Sequence, residues 1–314
     1  MSQLFSPRAV GPLTLKNRVA IAPMCQYSAI DGVPQPWHVQ HLGRLAISGA
    51  GLVIVEATGV EAAGRITPDD TGLWNDAQEE AFARIIRDIR TYSDTPIGIQ
   101  LAHAGRKAST SAPWKGGGAL KAEDGAWETF SASAEPFKDD WHTPTAMTPA
   151  DMDRVVAAFE DAARRADRAG FDLVELHAAH GYLLSQFLSP LTNQRTDEWG
   201  GSLQNRARLL VEIVKAVRSV VSAQFAVAVK LNSADFQREG FTAEDAKKVV
   251  ELLNEGVDTV KSSIDYTLTD NVENLQLTGA AVANGTGNAT ANNLLGNAAG
   301  NQLKGLAGDD SLSG

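Results

Sequence analysis

The chain has 314 residues, a formal net charge of −10 and 43% hydrophobic residues. That length allows one large domain or two modest ones, and the composition is ordinary for a globular protein. The acidic balance excludes nucleic acid as a partner, because an acidic surface repels phosphate backbones. There is no polybasic stretch for an anionic membrane, and no apolar run approaches the ~20 residues that a spanning helix needs. The start, from Met1 to Arg8, lacks a basic region followed by an apolar core, so no secretory signal is read. Cys25 is the only cysteine; no internal disulfide can form, which suits a reducing cytoplasm.

In chain order, short apolar runs at 19–22, 52–56, 97–101, 173–177 and 226–231 read as strands, and 257–260 as a sixth candidate. Nearly continuous apolar runs of this length point to strands buried on both faces, as in parallel sheets. Residues 108–147 fit neither strand nor helix; they hold Gly116, Gly117 and Gly118, Trp114, Trp127, Trp141 and several prolines. A long loop of this kind is either a lid over a barrel mouth or a surface excursion. Thr148, Pro149 and Asp151 form a helix start, with Thr148 as cap and Pro149 at the first helical position. Met152, Val155, Val156, Phe159, Ala162, Ala163 and Ala166 follow on one apolar face, and Gly170 ends the helix. Thr242 opens another helix, with Val249, Val250, Leu252 and Leu253 as its buried side. Strands alternating with helices predict an α/β fold. No G-x-G-x-x-G follows the first strand, which weighs against an open dinucleotide-binding sheet. The expected architecture is a TIM (β/α)8-type barrel, incomplete at five to six strands.

Near residue 257 the composition changes. The segment 257–314 is rich in Asn and Gly, has no Pro, and carries one aromatic, Tyr266. Leu294, Leu303 and Leu312 recur every nine residues. The surrounding nonapeptides, such as Gly305-Leu306-Ala307-Gly308-Asp309-Asp310-Ser311-Leu312-Ser313, resemble the repeats of repeats-in-toxin β-rolls, whose turns bind Ca²⁺ and whose leucines pack inward. The carboxylate position holds Asn292, Asn301 and then Asp310, so Asp310 is the one Ca²⁺ candidate. The alternatives are a β-roll or a disordered polar tail. The domains are expected at 1–256 and 257–314.

The sharpest chemical signal is His177-Ala178-Ala179-His180-Gly181-Tyr182, directly after a buried strand. Residues just past a strand's carboxyl end face the active site of a barrel. Two imidazoles there can bind an oxyanion, and a phenol can give a proton. A metal reading lacks a third histidine or carboxylate at a recognised spacing, and a structural role stays open for the string taken alone.

The run continues through Leu183-Leu184-Ser185-Gln186-Phe187-Leu188-Ser189-Pro190-Leu191-Thr192-Asn193-Gln194-Arg195 to Trp199-Gly200-Gly201-Ser202. It is joined by Ala22-Pro23-Met24-Cys25-Gln26-Tyr27-Ser28, by Val53-Ile54-Val55-Glu56-Ala57-Thr58 and by Ile99-Gln100-Leu101-Ala102-His103-Ala104-Gly105-Arg106-Lys107. From about Leu4 to Gly256 the chain resembles the old yellow enzyme family, in its bacterial, thermophilic-like branch. The resemblance implies FMN as cofactor, NADPH as reductant and an enone, enal or quinone as substrate, and it admits a homo-oligomer. It also implies roles. Pro23, Met24, Cys25, Ala57 and Gln100 line the flavin, and Lys230 is the cation beside its N1 and O2. Tyr27, His177 and His180 bind substrate, and Tyr182 gives the proton. Other readings stand beside these: Cys25 as a small buried hydrophobe, and Lys230 as a solvent-facing charge.

The family's phosphate-binding loops follow the last two strands of the barrel, where this chain has the repeat segment. Its only basic residues there are Lys261 and Lys304. Two functions of different class follow. One is an FMN-dependent ene reductase of the cytoplasm. The alternative is an inactive barrel remnant joined to a calcium-binding, secreted roll.

Overall fold

The computed structural model describes residues 2–254, 259–268 and 272–314. The chain divides into two compact units, Met1–Val249 and Val250–Gly314. This division falls a few residues before the composition change.

The first unit is built on five strands: β1 (Ala20–Ile21), β2 (Leu52–Gly59), β3 (Ile97–Ala102), β4 (Leu173–Ala178) and β5 (Ala226–Leu231). They hydrogen-bond in sequence order, and all pairs are parallel. Every residue of β2, β3 and β4 is buried, as their continuous apolar runs require. β5 is only partly covered beyond Ala226. An amino-terminal hairpin, Arg8–Val10 with Leu13–Leu15, packs Leu15 against Leu52 and Ile54 of β2.

Helices α1 (Pro36–Ala46), α2 (Asp76–Arg90), α3 (Pro149–Ala169), α4 (Leu183–Leu188), α5 (Leu203–Val220) and α6 (Ala243–Asn254) alternate with these strands. α3 begins and ends as the sequence predicts. Thr148 caps it in a box with Asp151, Pro149 is its first residue, and Gly170 closes it. Such a cap contributes about 1 kcal/mol. Phe159, Ala162, Ala163 and Ala166 of its apolar face are fully buried. Arg165 pairs with Asp76 and Glu79, and Arg168 with Glu79, so charges tie α3 to the start of α2. α6 departs from expectation: Val249 is buried, but Val250 is 48% exposed and turns away from the core. No helix among the described residues is long and apolar enough to cross a membrane.

The sixth strand candidate is corrected. Residues 257 and 258 lie outside the described residues. The strand β6 (Thr259–Ser262) pairs in parallel with β8 (Asn274–Leu277) of the second unit, not with the five-stranded sheet.

The second unit is ordered as a two-sheet coil. Besides β6 and β8 it contains β7 (Tyr266–Thr267), β9 (Gly285–Thr286), β10 (Asn293–Leu295), β11 (Leu303–Lys304) and β12 (Ser311–Ser313). Successive strands alternate between a sheet of order β6-β8-β10-β12 and one of order β7-β9-β11, both parallel. The nine-residue leucine spacing therefore places Leu294 on one sheet, Leu303 on the other, and Leu312 back on the first, in register with Leu294. Leu294 joins Leu268, Leu275, Leu277 and Ala283 in the core of the coil. Leu312 is 48% exposed, because its strand is the outermost of its sheet.

Asparagines close the turns. Asn292 Oδ1 accepts from Asn288 N, and Asn301 Oδ1 accepts from Asn297 N, at 2.7 and 2.8 Å. Their amide nitrogens donate to Val272 O and Ala283 O, 20 and 18 residues back along the chain. Gly287 and Gly296 are required by these turns, since a Cβ at either would collide with the asparagine oxygen. Asp310 accepts from Asn292 N at 2.9 Å, and no cluster of three metal-ligating side chains occurs among the described residues.

Candidate active site

The site is assembled at the carboxyl ends of β3, β4 and β5. Across these strands, Gln100 is in register with Glu175, and His177 with Lys230. Gln100 Nε2 donates to Glu175 Oε1 at 2.7 Å, and Lys230 Nζ lies 3.4 Å from the same oxygen. One carboxylate thus joins the amide and the ammonium in a line across three strands. Ala57, 5% exposed, is the ladder partner of Gln100 on β2.

Beyond β4 the chain turns sharply. His180 and Gly181 both have positive φ, +59° and +72°. A left-handed histidine is uncommon and marks a constrained site. Three contacts hold this turn. His180 N donates to Asn232 Oδ1 at 3.0 Å, Lys107 Nζ donates to His180 O at 3.0 Å, and Gln186 Nε2 donates to Gly181 O at 2.7 Å. The turn brings the His177 ring to 5.0 Å from both the His180 and the Tyr182 rings, edge to face. Lys107 Nζ lies 4.9 Å from the centre of the Tyr182 ring.

The hydrogen bonds assign the tautomers. His177 Nδ1 accepts from Ala179 N, so its proton sits on Nε2, which faces His180 Nδ1 at 3.3 Å. The outward-facing donor of the pair is then His180 Nε2–H. Burial, reinforced by His180, Lys230 and Lys107, pushes His177 down to about 3. Burial and the two lysines lower His180 as well. Both imidazoles are therefore neutral donors near pH 7. Burial, followed by the neighbouring acidic groups Cys25, Tyr27 and Asp70, raises the Tyr182 phenol above its ordinary range, which keeps its proton on.

A second group lies on the loop after β1. The Cys25 thiol and the Tyr27 phenol are neighbours close enough to shift each other's titration. Burial, then Asp70 and Glu56, lifts the Cys25 thiol to about 12, so it stays an uncharged S–H. Pro23 is half-buried, and Met24 is 53% exposed. Trp114, from the long 108–147 segment, meets the Tyr27 ring edge-on at 5.4 Å. Trp127 of the same segment donates its indole N–H to Ala63 O. The segment is thus fastened over loops that follow β1 and β2.

Sequence reasoning did not single out Lys107, Glu175, Asn232, Glu56 or Asp70. For Glu56 and Glu175 a signal existed, since each is a carboxylate inside an otherwise apolar strand run. Asn232 gave none.

A family model described as NADH:flavin oxidoreductase / NADH oxidase matches residues 3–284. The chain belongs to the NADH:flavin oxidoreductase / NADH oxidase family. It is 43% identical over 263 residues to an NADPH dehydrogenase of Geobacillus thermodenitrificans, covering 83% of this chain and 72% of that one. It is 42% identical over 277 residues to an NADH:flavin oxidoreductase of Gibberella zeae, covering 83% and 67%. Among solved structures, morphinone reductase in complex with tetrahydroNAD superposes with a TM-score of 0.68 at 29% identity, over 88% of this chain and 74% of that one. The old yellow enzyme homologue of Zymomonas mobilis superposes at 0.66 and 27% identity, over 91% and 74%. The parallel sheet of this flavin oxidoreductase is accordingly TIM-barrel-like, and the chain is an enzyme of the old yellow enzyme type. The family match runs past residue 256 into the first strands of the coil.

Proposed function

We propose that the chain is an FMN-dependent ene reductase, taking reducing equivalents from NADPH and delivering them to the alkene of an α,β-unsaturated carbonyl compound. The observation that carries this reading is the convergence of two neutral imidazoles and a protonated phenol, with the His177 ring 5.0 Å from both the His180 and the Tyr182 rings. They stand beside a lysine in register with His177.

The residues present fit the cofactor's ring system. FMN, when bound, supplies the hydride chemistry that no side chain possesses. The Gln100 amide and the Lys230 ammonium offer donors for the polar edge of the isoalloxazine, with Glu175 orienting both. A fixed cation there favours the reduced, anionic form. Pro23, Met24, Cys25 and Ala57 would line the ring. The basic residues of the repeat segment, Lys261 and Lys304, belong to β6 and β11 of the second unit.

The protein's own groups then act on the substrate. His180 Nε2–H, backed by His177, donates to the carbonyl oxygen and draws electron density from the alkene. Tyr27 and Trp114 bound the substrate from the side of β1. Tyr182 holds its proton until the α-carbon becomes strongly basic and then releases it there.

The test is a direct one. The purified chain is mixed with excess FMN, freed of unbound flavin, and its visible spectrum is recorded. Retained flavin absorbance, bleached anaerobically by NADPH and restored by cyclohexenone, is the expected result. Bleaching that only a quinone can reverse would refute enone reduction; a colourless protein would refute the cofactor assignment.

A further inference from the structure

The ladder between β2 and β3 is interrupted at one point. Val55 pairs with Ile99 and Ala57 with Gln100, so Glu56 is an extra residue, a β-bulge. Bulges re-aim a side chain beside a site. Here the bulge delivers a carboxylate that is 4% exposed. Glu56 Oε2 accepts from Gln26 N at 2.7 Å. Its Oε1 lies 3.2 Å from His38 Nε2, an off-angle approach that leaves this buried N–H without a well-aligned acceptor. His38 is fixed in turn, because its Nδ1 accepts from Gln35 N at the start of α1.

Gln26 is held by every polar group it has. Besides the bond to Glu56, its Nε2 donates to Met24 O, its Oε1 accepts from Trp37 Nε1, and its carbonyl accepts from Ser28 Oγ, at 2.8, 3.0 and 2.9 Å. The loop 24–28 has no regular secondary structure, and Tyr27 within it has φ +47°. A tyrosine keeps that conformation only when its neighbours impose it.

We propose that Glu56 is a positioning residue, whose bulge-directed carboxylate holds the Gln26 N–H and thereby sets Cys25 and Tyr27 at the site. Trp37 fastens the same glutamine from α1. The functional meaning rests on the reading that this loop faces cofactor and substrate; the positioning itself does not.

Cys25, the only cysteine, reports on the loop in the full chain without flavin. Its alkylation rate by iodoacetamide is measured from pH 7 to 9.5 under native conditions. Glu56→Ala is expected to raise the rate about tenfold or more at every pH, since a charge-assisted hydrogen bond is lost. Trp37→Phe, at an exposed position that leaves folding intact, is expected to raise it about threefold through loss of one neutral bond. Ile213→Val in the core of α5 is the control and leaves the rate unchanged. Unsubstituted rates in both loop variants would overturn the proposal. So would an equal rise in the control, or a rise in Glu56→Gln as large as that in Glu56→Ala, because the glutamine removes the charge yet keeps an acceptor for the Gln26 N–H. If Glu56→Ala does not fold, Trp37→Phe decides. Slowing of the alkylation by added FMN bears on the cofactor reading alone.

Discussion

At the scale of single residues, proton placement decides what each group can do. Tyr182 keeps its proton because burial and nearby negative charge oppose phenolate formation. Tyr182→Phe should therefore slow enone reduction about 100-fold, the contribution of a positioned general acid. NADPH-driven reduction of a quinone, which needs no carbon protonation, should stay within about twofold. Parallel stopped-flow traces of the two acceptors decide it, and equal loss in both would remove Tyr182 as the donor. The histidines act differently. Burial beside two lysines keeps His177 neutral down to about pH 3. It then serves as an N–H donor rather than as a cation. His177→Ala with His180→Ala should weaken binding of a phenolic ligand at least tenfold, roughly the worth of one hydrogen bond to a charged oxygen. Spectral titration of the FMN-loaded chain measures this, and unchanged affinity would exclude the oxyanion role.

At the scale of elements, the loops that carry these residues are fastened from behind. Glu61, after β2, hydrogen-bonds His103 Nε2 at 2.9 Å and pairs with Arg154 of α3. His103 Nδ1 accepts from Gly105 N, just before Lys107. Burial pushes the Glu61 carboxyl up, but His103 and Arg154 outweigh it and bring it down to about 2. A folded value below the unfolded one means that the unfolded chain binds the proton first. The stabilisation is therefore complete above about pH 4.5 and is lost as pH falls toward 2. Denaturation at pH 6 and pH 3 should show Glu61→Gln losing about 2 kcal/mol less stability across that interval than the unsubstituted chain. Equal pH dependence would show that the triad is not tuned as the geometry implies.

At the scale of the whole molecule, two compact units are built on different rules. The first buries strands between helices, and the second coils short strands around a leucine core. The coil's turns are closed by Asn288, Asn292, Asn297 and Asn301, whose oxygens accept within the turns and whose amides donate to carbonyls one coil earlier. These turns close through neutral side chains, and the expected outcome is folding without a divalent cation. Excess EDTA or millimolar CaCl2 should leave the far-UV circular dichroism and the melting temperature of the chain unchanged. A rise in melting temperature with Ca²⁺ would reveal a site that binds the native state alone.

The sequence by itself determined what depends on near neighbours along the chain. Apolar runs gave all five strands of the first sheet within a few residues, and the Thr148–Asp151 box gave the start of α3. One continuous string gave His177, His180 and Tyr182, because a single turn of backbone brings them together. The nine-residue leucine period similarly foreshadowed the coil. Only the tertiary structure decided which remote groups meet that string: Lys107 from the turn after β3, Asn232 just past β5, and Glu175 between Gln100 and Lys230. It also decided that Thr259–Ser262 pairs with Asn274–Leu277 and that Glu56 stands on a bulge. Strand partners and bulges follow from hydrogen-bond competition between segments far apart in the chain, and no local pattern of residue types encodes the winner of that competition.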